Sequence, residues 1–107
     1  MTCCNLTRYS SIAISVIKTF RHKGLKEFFE TGKSHAVASE LMKRLRIQLD
    51  YLNRAKHVTD MNIPGFRLHE LKGQRRETWS ITVSRNQRIT FVFVDGHAYD
   101  VDLEDYH

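Results

Sequence analysis

The chain has 107 residues, 41% of them hydrophobic, with one proline and a formal net charge of +5. That length suits one domain rather than two, and the apolar content excludes wholesale disorder. A domain near this size buries roughly two-thirds of the surface its unfolded chain exposes, so it needs neither a metal nor a disulfide to fold.

Seventeen Lys and Arg face twelve Asp and Glu, and the pI is near 9.5, which favours an anionic partner. The acids gather late: Asp95, Asp100, Asp102, Glu104 and Asp105 all lie close to the terminus. The adjacent Cys3 and Cys4 match no zinc spacing and are poorly placed to bridge each other. No run reaches transmembrane length, and Ser11 to Ile17 is too short and mixed for a secretion signal. The expected setting is a reducing cytoplasm, with no membrane partner.

Residues 1–15 show no sustained period. They read as a flexible tail, an extra strand, or an extension ahead of a domain that begins near Val16. Val16–Phe20 reads as a short strand. Leu25, Phe28 and Phe29 then fall at helical spacing, with Gly32 placed to end the helix. Ala38, Leu41, Met42, Leu45, Leu49 and Leu52 form one apolar stripe, predicting a helix over 36–55 with Ser34 as its N-cap. Lys43 and Arg54 point away from the stripe, Arg44 and Arg46 flank it, and the simplest reading is a core helix with a solvated basic back; Ile47 sits mid-way round the polar face. Asn62-Ile63-Pro64-Gly65 is a turn signal.

The remainder is strand-like. Phe66–Leu71 is a short candidate. Trp79–Ser84 alternates, with Trp79, Ile81 and Val83 on one side, and Arg85-Asn86-Gln87 makes a hairpin loop. Arg88–Val94 puts Ile89, Phe91 and Phe93 on one face. Asp95-Gly96 is a strong hairpin signal, because both residues tolerate positive φ. Tyr99–Leu103 alternates again and would hold the terminal Glu104-Asp105-Tyr106-His107 against the domain. Two helices followed by hairpin-linked strands predict an α+β fold, with the helices on one face of a small, mainly antiparallel twisted sheet.

The uncovered face would gather Arg67, His69, Lys72, Arg75, Arg76, Arg85 and Arg88, a cationic surface suited to a nucleic-acid backbone or simply to water. No GxGxxG, Walker loop, HExxH or GxSxG occurs, and no histidine pair has metal-ligand spacing. What remains is a cofactor-free acid-base kit of His, Asp, Tyr, Lys and Arg. RNA cleavage needs little more, since the substrate's 2′-hydroxyl supplies the nucleophile.

The segments Ile17-Lys18-Thr19-Phe20-Arg21-His22-Lys23-Gly24-Leu25-Lys26, Leu68-His69-Glu70-Leu71-Lys72-Gly73, Trp79-Ser80-Ile81-Thr82-Val83, Arg88-Ile89-Thr90-Phe91 and Asp95-Gly96 through to Glu104-Asp105-Tyr106-His107 occur in that order. Together they make residues 16–107 resemble the HigB-type toxins of the RelE superfamily. The resemblance implies a RelE-like fold and a ribosome-dependent endoribonuclease that cuts mRNA in the decoding site of the small ribosomal subunit. It implies a helix-turn-helix, HigA-like antitoxin held in a hetero-oligomer, and no metal. Carried over residue by residue, the catalytic set is His69, Asp105, Tyr106 and His107. Lys72 and Arg88 would meet phosphate, and Arg85 is the nearest counterpart of a further family arginine. His107 or Asp105 would activate the 2′-hydroxyl and His69 would protonate the leaving oxygen, although the residue types also allow the reverse. A silent binding module of the same fold and a ribosome-independent ribonuclease are the competing readings.

Overall fold

The computed structural model of the chain describes residues 16–71 and 77–105. Helices α1 (Lys23–Thr31) and α2 (Met42–Arg54) precede strands β1 (His69–Leu71), β2 (Thr78–Thr82), β3 (Gln87–Val94) and β4 (His97–Asp105). Short 3-10 turns span Ser39–Leu41 and Val58–Met61. The sheet order is β1-β2-β3-β4, every pair antiparallel, so the α+β expectation is borne out. Leu25, Phe28, Leu45, Leu49 and Leu52 of the helices pack with Ile81, Ile89, Phe91, Ala98 and Val101 of the strands in one buried cluster. Phe91 is fully buried, whereas Trp79 and Phe93 pack against the rim of that cluster.

Each helix has a local cause. The His22 ring accepts from the Leu25 N–H through Nδ1 at 2.9 Å, capping α1. Gly32 ends it in the left-handed region, φ 83°, and returns its N–H to the Phe28 carbonyl at 2.7 Å. Helix α2 starts at Met42, later than its apolar stripe suggests. Ser34 does not cap it; its hydroxyl accepts from the Ala36 N–H at 3.1 Å inside a separate turn. That turn is pressed onto the start of α1: a Cβ on Gly24 would stand 2.4 Å from the Ala36 Cβ. The chain must change direction there before α2 can begin. Gln48, a polar residue outside the apolar stripe of α2, is fully buried and donates to the Thr82 carbonyl at 2.8 Å. Ile47 is exposed, at 46%.

Val16–Phe20 runs parallel to β4 along its outer edge, as a strand would, through bridges at Ile17–Ala98 and Phe20–Val101. The Lys18 N–H donates to the Ala98 carbonyl at 2.8 Å, and the Ala98 N–H to the Val16 carbonyl at 2.9 Å. The Asn53 side-chain oxygen accepts from both the Val16 and Ile17 amides at 3.1 Å, tying this segment to α2.

The hairpin at Asp95-Gly96 has positive φ at both residues, 53° and 77°, as its sequence predicts. Farther along, the β3–β4 register slips. Val92 pairs with Tyr99, but Thr90 pairs with Asp102. Phe91 therefore faces two residues, and Asp100 takes a left-handed φ of 53° in this bulge. The extra residue reverses the facing of everything after it. Val101 and Leu103 join the core side, and Asp102 and Glu104 point to the other face.

Candidate active site

The face away from the helices is polar. On this side one row crosses all four strands: His69 pairs with Ser80, Ser80 with Thr90 and Thr90 with Asp102. Two residues along, Thr82 pairs with Arg88 and Arg88 with Glu104. Ser80 and Thr90 are buried although no helix covers this face.

The larger side chains lie over them. The His69 Nδ1 is 3.2 Å from the Arg67 carbonyl, and the Ser80 hydroxyl is 3.3 Å from Nδ1 and 3.2 Å from Nε2. A carbonyl only accepts, so Nδ1 carries a hydrogen toward Arg67. The Ser80 hydroxyl, almost equidistant from the two ring nitrogens, lies against the ring rather than on the lone pair of either. Arg67 itself has a φ of 54°, a left-handed conformation uncommon for its residue type, two residues before the histidine. Backbone of that kind costs energy and is concentrated at working sites.

At the other end of the row Arg88 donates to Glu104 Oε1 at 3.3 Å, while Glu104 Oε2 accepts from the Thr90 hydroxyl at 3.0 Å. Both partners of this ion pair are about four-fifths covered, with exposures of 20% and 21%. Two strand spacings and two residue rises separate His69 from Arg88, about 12 Å between Cα atoms. Arg88 turns toward Glu104 on β4, and the His69 ring lies against Ser80, so the two share one face with Ser80 and Thr90 between them.

The other expected residues lie elsewhere. Asp105 ends β4 three strands away from His69, and its carboxylate accepts from the Gln87 side chain at 3.1 Å. By alternation it points away from Glu104, to the far side of the sheet. Arg85 is exposed in the β2–β3 hairpin and lines a cleft of about 790 Å³ with Arg44, Arg67, Thr82, Val83 and Ser84. Lys72, Tyr106 and His107 lie outside the described residues, as do Arg75 and Arg76. Among the described residues no group of three His, Cys, Asp or Glu side chains is placed to hold a metal ion. No helix among them is long and apolar enough to cross a membrane.

Three members of this face do not stand out as a set in the sequence: Ser80, Thr90 and Glu104. The polar alternation of Ser80-Thr82 and Arg88-Thr90 marks the first two as facing away from the core. Glu104 is brought round only by the bulge at Asp100.

The model of the HigB-like toxins, described as the RelE-like toxin of type II toxin–antitoxin system HigB, matches residues 18–107. The chain belongs to the HigB-like toxin family. It is 44% identical over 92 residues to Endoribonuclease HigB of Proteus vulgaris, which covers 86% of this chain and 100% of that relative. It is 33% identical over 87 residues to Toxin HigB-1 of Vibrio cholerae serotype O1, covering 79% and 92% of the two chains. Membership of a type II toxin–antitoxin family implies an antitoxin partner for this HigB-like chain.

Proposed function

We propose that this HigB-like toxin is an endoribonuclease that cuts mRNA on the ribosome. The observation that carries this reading is the polar sheet face that His69 and Arg88 share, built of paired strand residues and away from the helices. The name of the Proteus vulgaris relative, an endoribonuclease, supports the same activity.

A base removes the proton of the 2′-hydroxyl, the oxygen attacks phosphorus, and the bond to the 5′-oxygen breaks. The products are a 2′,3′-cyclic phosphate and a 5′-hydroxyl. His69 fits the acid's role. With Nδ1 turned to the Arg67 carbonyl, Nε2 is the nitrogen left to carry a second proton, and a protonated ring can hand that proton to the leaving oxygen. Arg88 meets the charge that builds on the phosphate, with its fork held by Glu104. Asp105, on the far side of the sheet, is left out of this set; the terminal Tyr106 and His107 supply a stacking surface and the base, and Lys72 and Arg85 are further phosphate contacts. The domain that performs this is residues 16–107, with 1–15 as an extension. Its antitoxin is a helix-turn-helix protein in a hetero-oligomer, and its setting is the cytoplasm.

Growth arrest and antitoxin binding, measured together, test the site. His69→Ala and removal of His107 are each expected to abolish arrest and leave antitoxin binding near normal. Full toxicity in both variants would sink the assignment. Purified protein is expected to cut mRNA on translating ribosomes and spare naked mRNA; rapid cutting of naked RNA would make it a free ribonuclease.

A further inference from the structure

Three arginines from three separate parts of the chain converge on the cleft beside the polar face. Arg44 comes from α2, Arg67 from the segment before β1, and Arg85 from the β2–β3 hairpin. None of the three has a carboxylate within ion-pair distance among the described residues, whereas Arg21, Arg54 and Arg88 each do. Like charges held together without an internal counter-ion favour an anion from outside.

The cleft is also built rather than incidental. The Arg44 guanidinium donates to the Gly65 carbonyl at 3.0 Å and to the Thr82 carbonyl at 3.4 Å. Gln48 donates to that same Thr82 oxygen, and the Thr82 N–H donates to the Phe66 carbonyl at 2.7 Å. These bonds pin α2, the 63–67 loop and the end of β2 together at the cleft floor.

The cleft adjoins the polar face directly. Thr82 pairs with Arg88, and the Arg67 carbonyl is the one that accepts from His69. Its polar lining is guanidinium and hydroxyl, and its one apolar residue, Val83, is 2% exposed. Such walls offer nothing to grip an apolar side chain and suit a ligand that is anionic along its length.

We propose that Arg44, Arg67 and Arg85 form a phosphate-binding track for the single-stranded RNA that flanks the cleaved link. The identity of the strand rests on the nuclease reading; the anion-binding character of the cleft does not. Two or more phosphates beyond the reacting one would lie along the track, fixing which link reaches His69 and Arg88.

Binding to an uncut strand tests this. A His69→Ala protein is titrated with a fluorescent RNA single strand of about twelve nucleotides over a range of salt concentrations. The same protein carrying Arg67→Asn and Arg85→Gln is compared with it. Arg44 stays in place because it also ties Gly65 and Thr82, and Asn suits the left-handed backbone at position 67. Each lost phosphate contact is expected to lower the slope of log affinity against log salt by about 0.7, so the pair lowers it by about 1.4. Affinity near physiological salt is expected to fall about two- to fivefold per arginine, with the melting temperature unchanged. An unchanged slope and affinity, or no binding by the parent even at low salt, overturns the track. So does arginine dependence seen only with duplex RNA or only with poly-glutamate. Ribosome-dependent cutting is assayed separately in the chain that keeps His69. Loss of that activity with the arginine dependence intact defeats the nuclease reading alone.

Discussion

A guanidinium that meets a phosphate works best when its fork is held, and Glu104 supplies that restraint for Arg88. The pair is largely covered, so screening discounts it less than an exposed one. Glu104→Ala is expected to lower unfolding free energy in urea by about 1.5–3 kcal/mol, the scale of hydrogen bonds to a charged group. Catalysis is expected to fall further than stability accounts for, through kcat rather than KM, because Arg88 is then free to swing. Asp60 offers a simpler test. Its carboxylate accepts from the Lys56 and His57 amides at 2.9 and 3.1 Å, and these bonds hold its pKa below the ordinary carboxylate value. A lowered folded-state pKa stabilises above the unfolded value, and that contribution is lost as pH falls through the lowered one. Stability measured against pH is therefore expected to drop less steeply at acid pH in Asp60→Asn than in the parent. His69 and Arg88 were legible as residues, from the pattern around them. Glu104 was not, and the reason is physical. Counting back from the Asp95-Gly96 turn with an unbroken register pairs Arg88 with Leu103. One bulged residue moves that partner to Glu104, and nothing local in Tyr99-Asp100-Val101 announces the shift.

Strands and hairpins carried the clearest signals among the elements. Ile81, Ile89 and Phe91 are buried as their alternation requires, and Asp95-Gly96 turns as both residues allow. Helix α2 kept its stripe at Leu45, Leu49 and Leu52 but lost its first turn, because periodicity reports a buried face and not the backbone that bears it. The displacing contact is between chain segments, Gly24 against Ala36, and is invisible to a local reading. Gly24→Ala is accordingly expected to destabilise the fold, even though alanine is the better helix former. Gly24→Ala and Leu45→Ala compared by denaturant titration give the scale: Leu45→Ala should cost about 2–5 kcal/mol. A Gly24→Ala protein as stable as its parent would mean that the 34–37 turn yields easily. Gln48 escaped the pattern for the opposite reason. Its polar group belongs to the floor beneath Thr82, where a buried carbonyl needs a donor.

The described fold draws on residues from Val16 onward, and the Proteus vulgaris relative is matched over its whole length by 92 residues of this chain. A protein in which a single initiating methionine precedes Val16 is expected to keep its melting temperature and its growth arrest; loss of either would make residues 1–15 integral to the domain. The Asp100 amide donates to the Thr19 hydroxyl at 2.8 Å, across 81 positions of sequence. Chain closure over such a span is entropically slow, and non-local pairing delays folding relative to helical contacts. The ribosome makes Val16–Phe20 early and β4 later than any other described element. A half-made molecule can coil its helices but has nothing for its first segment to pair with, so the synthesising ribosome must have passed the codons of β4 before the folded toxin can exist.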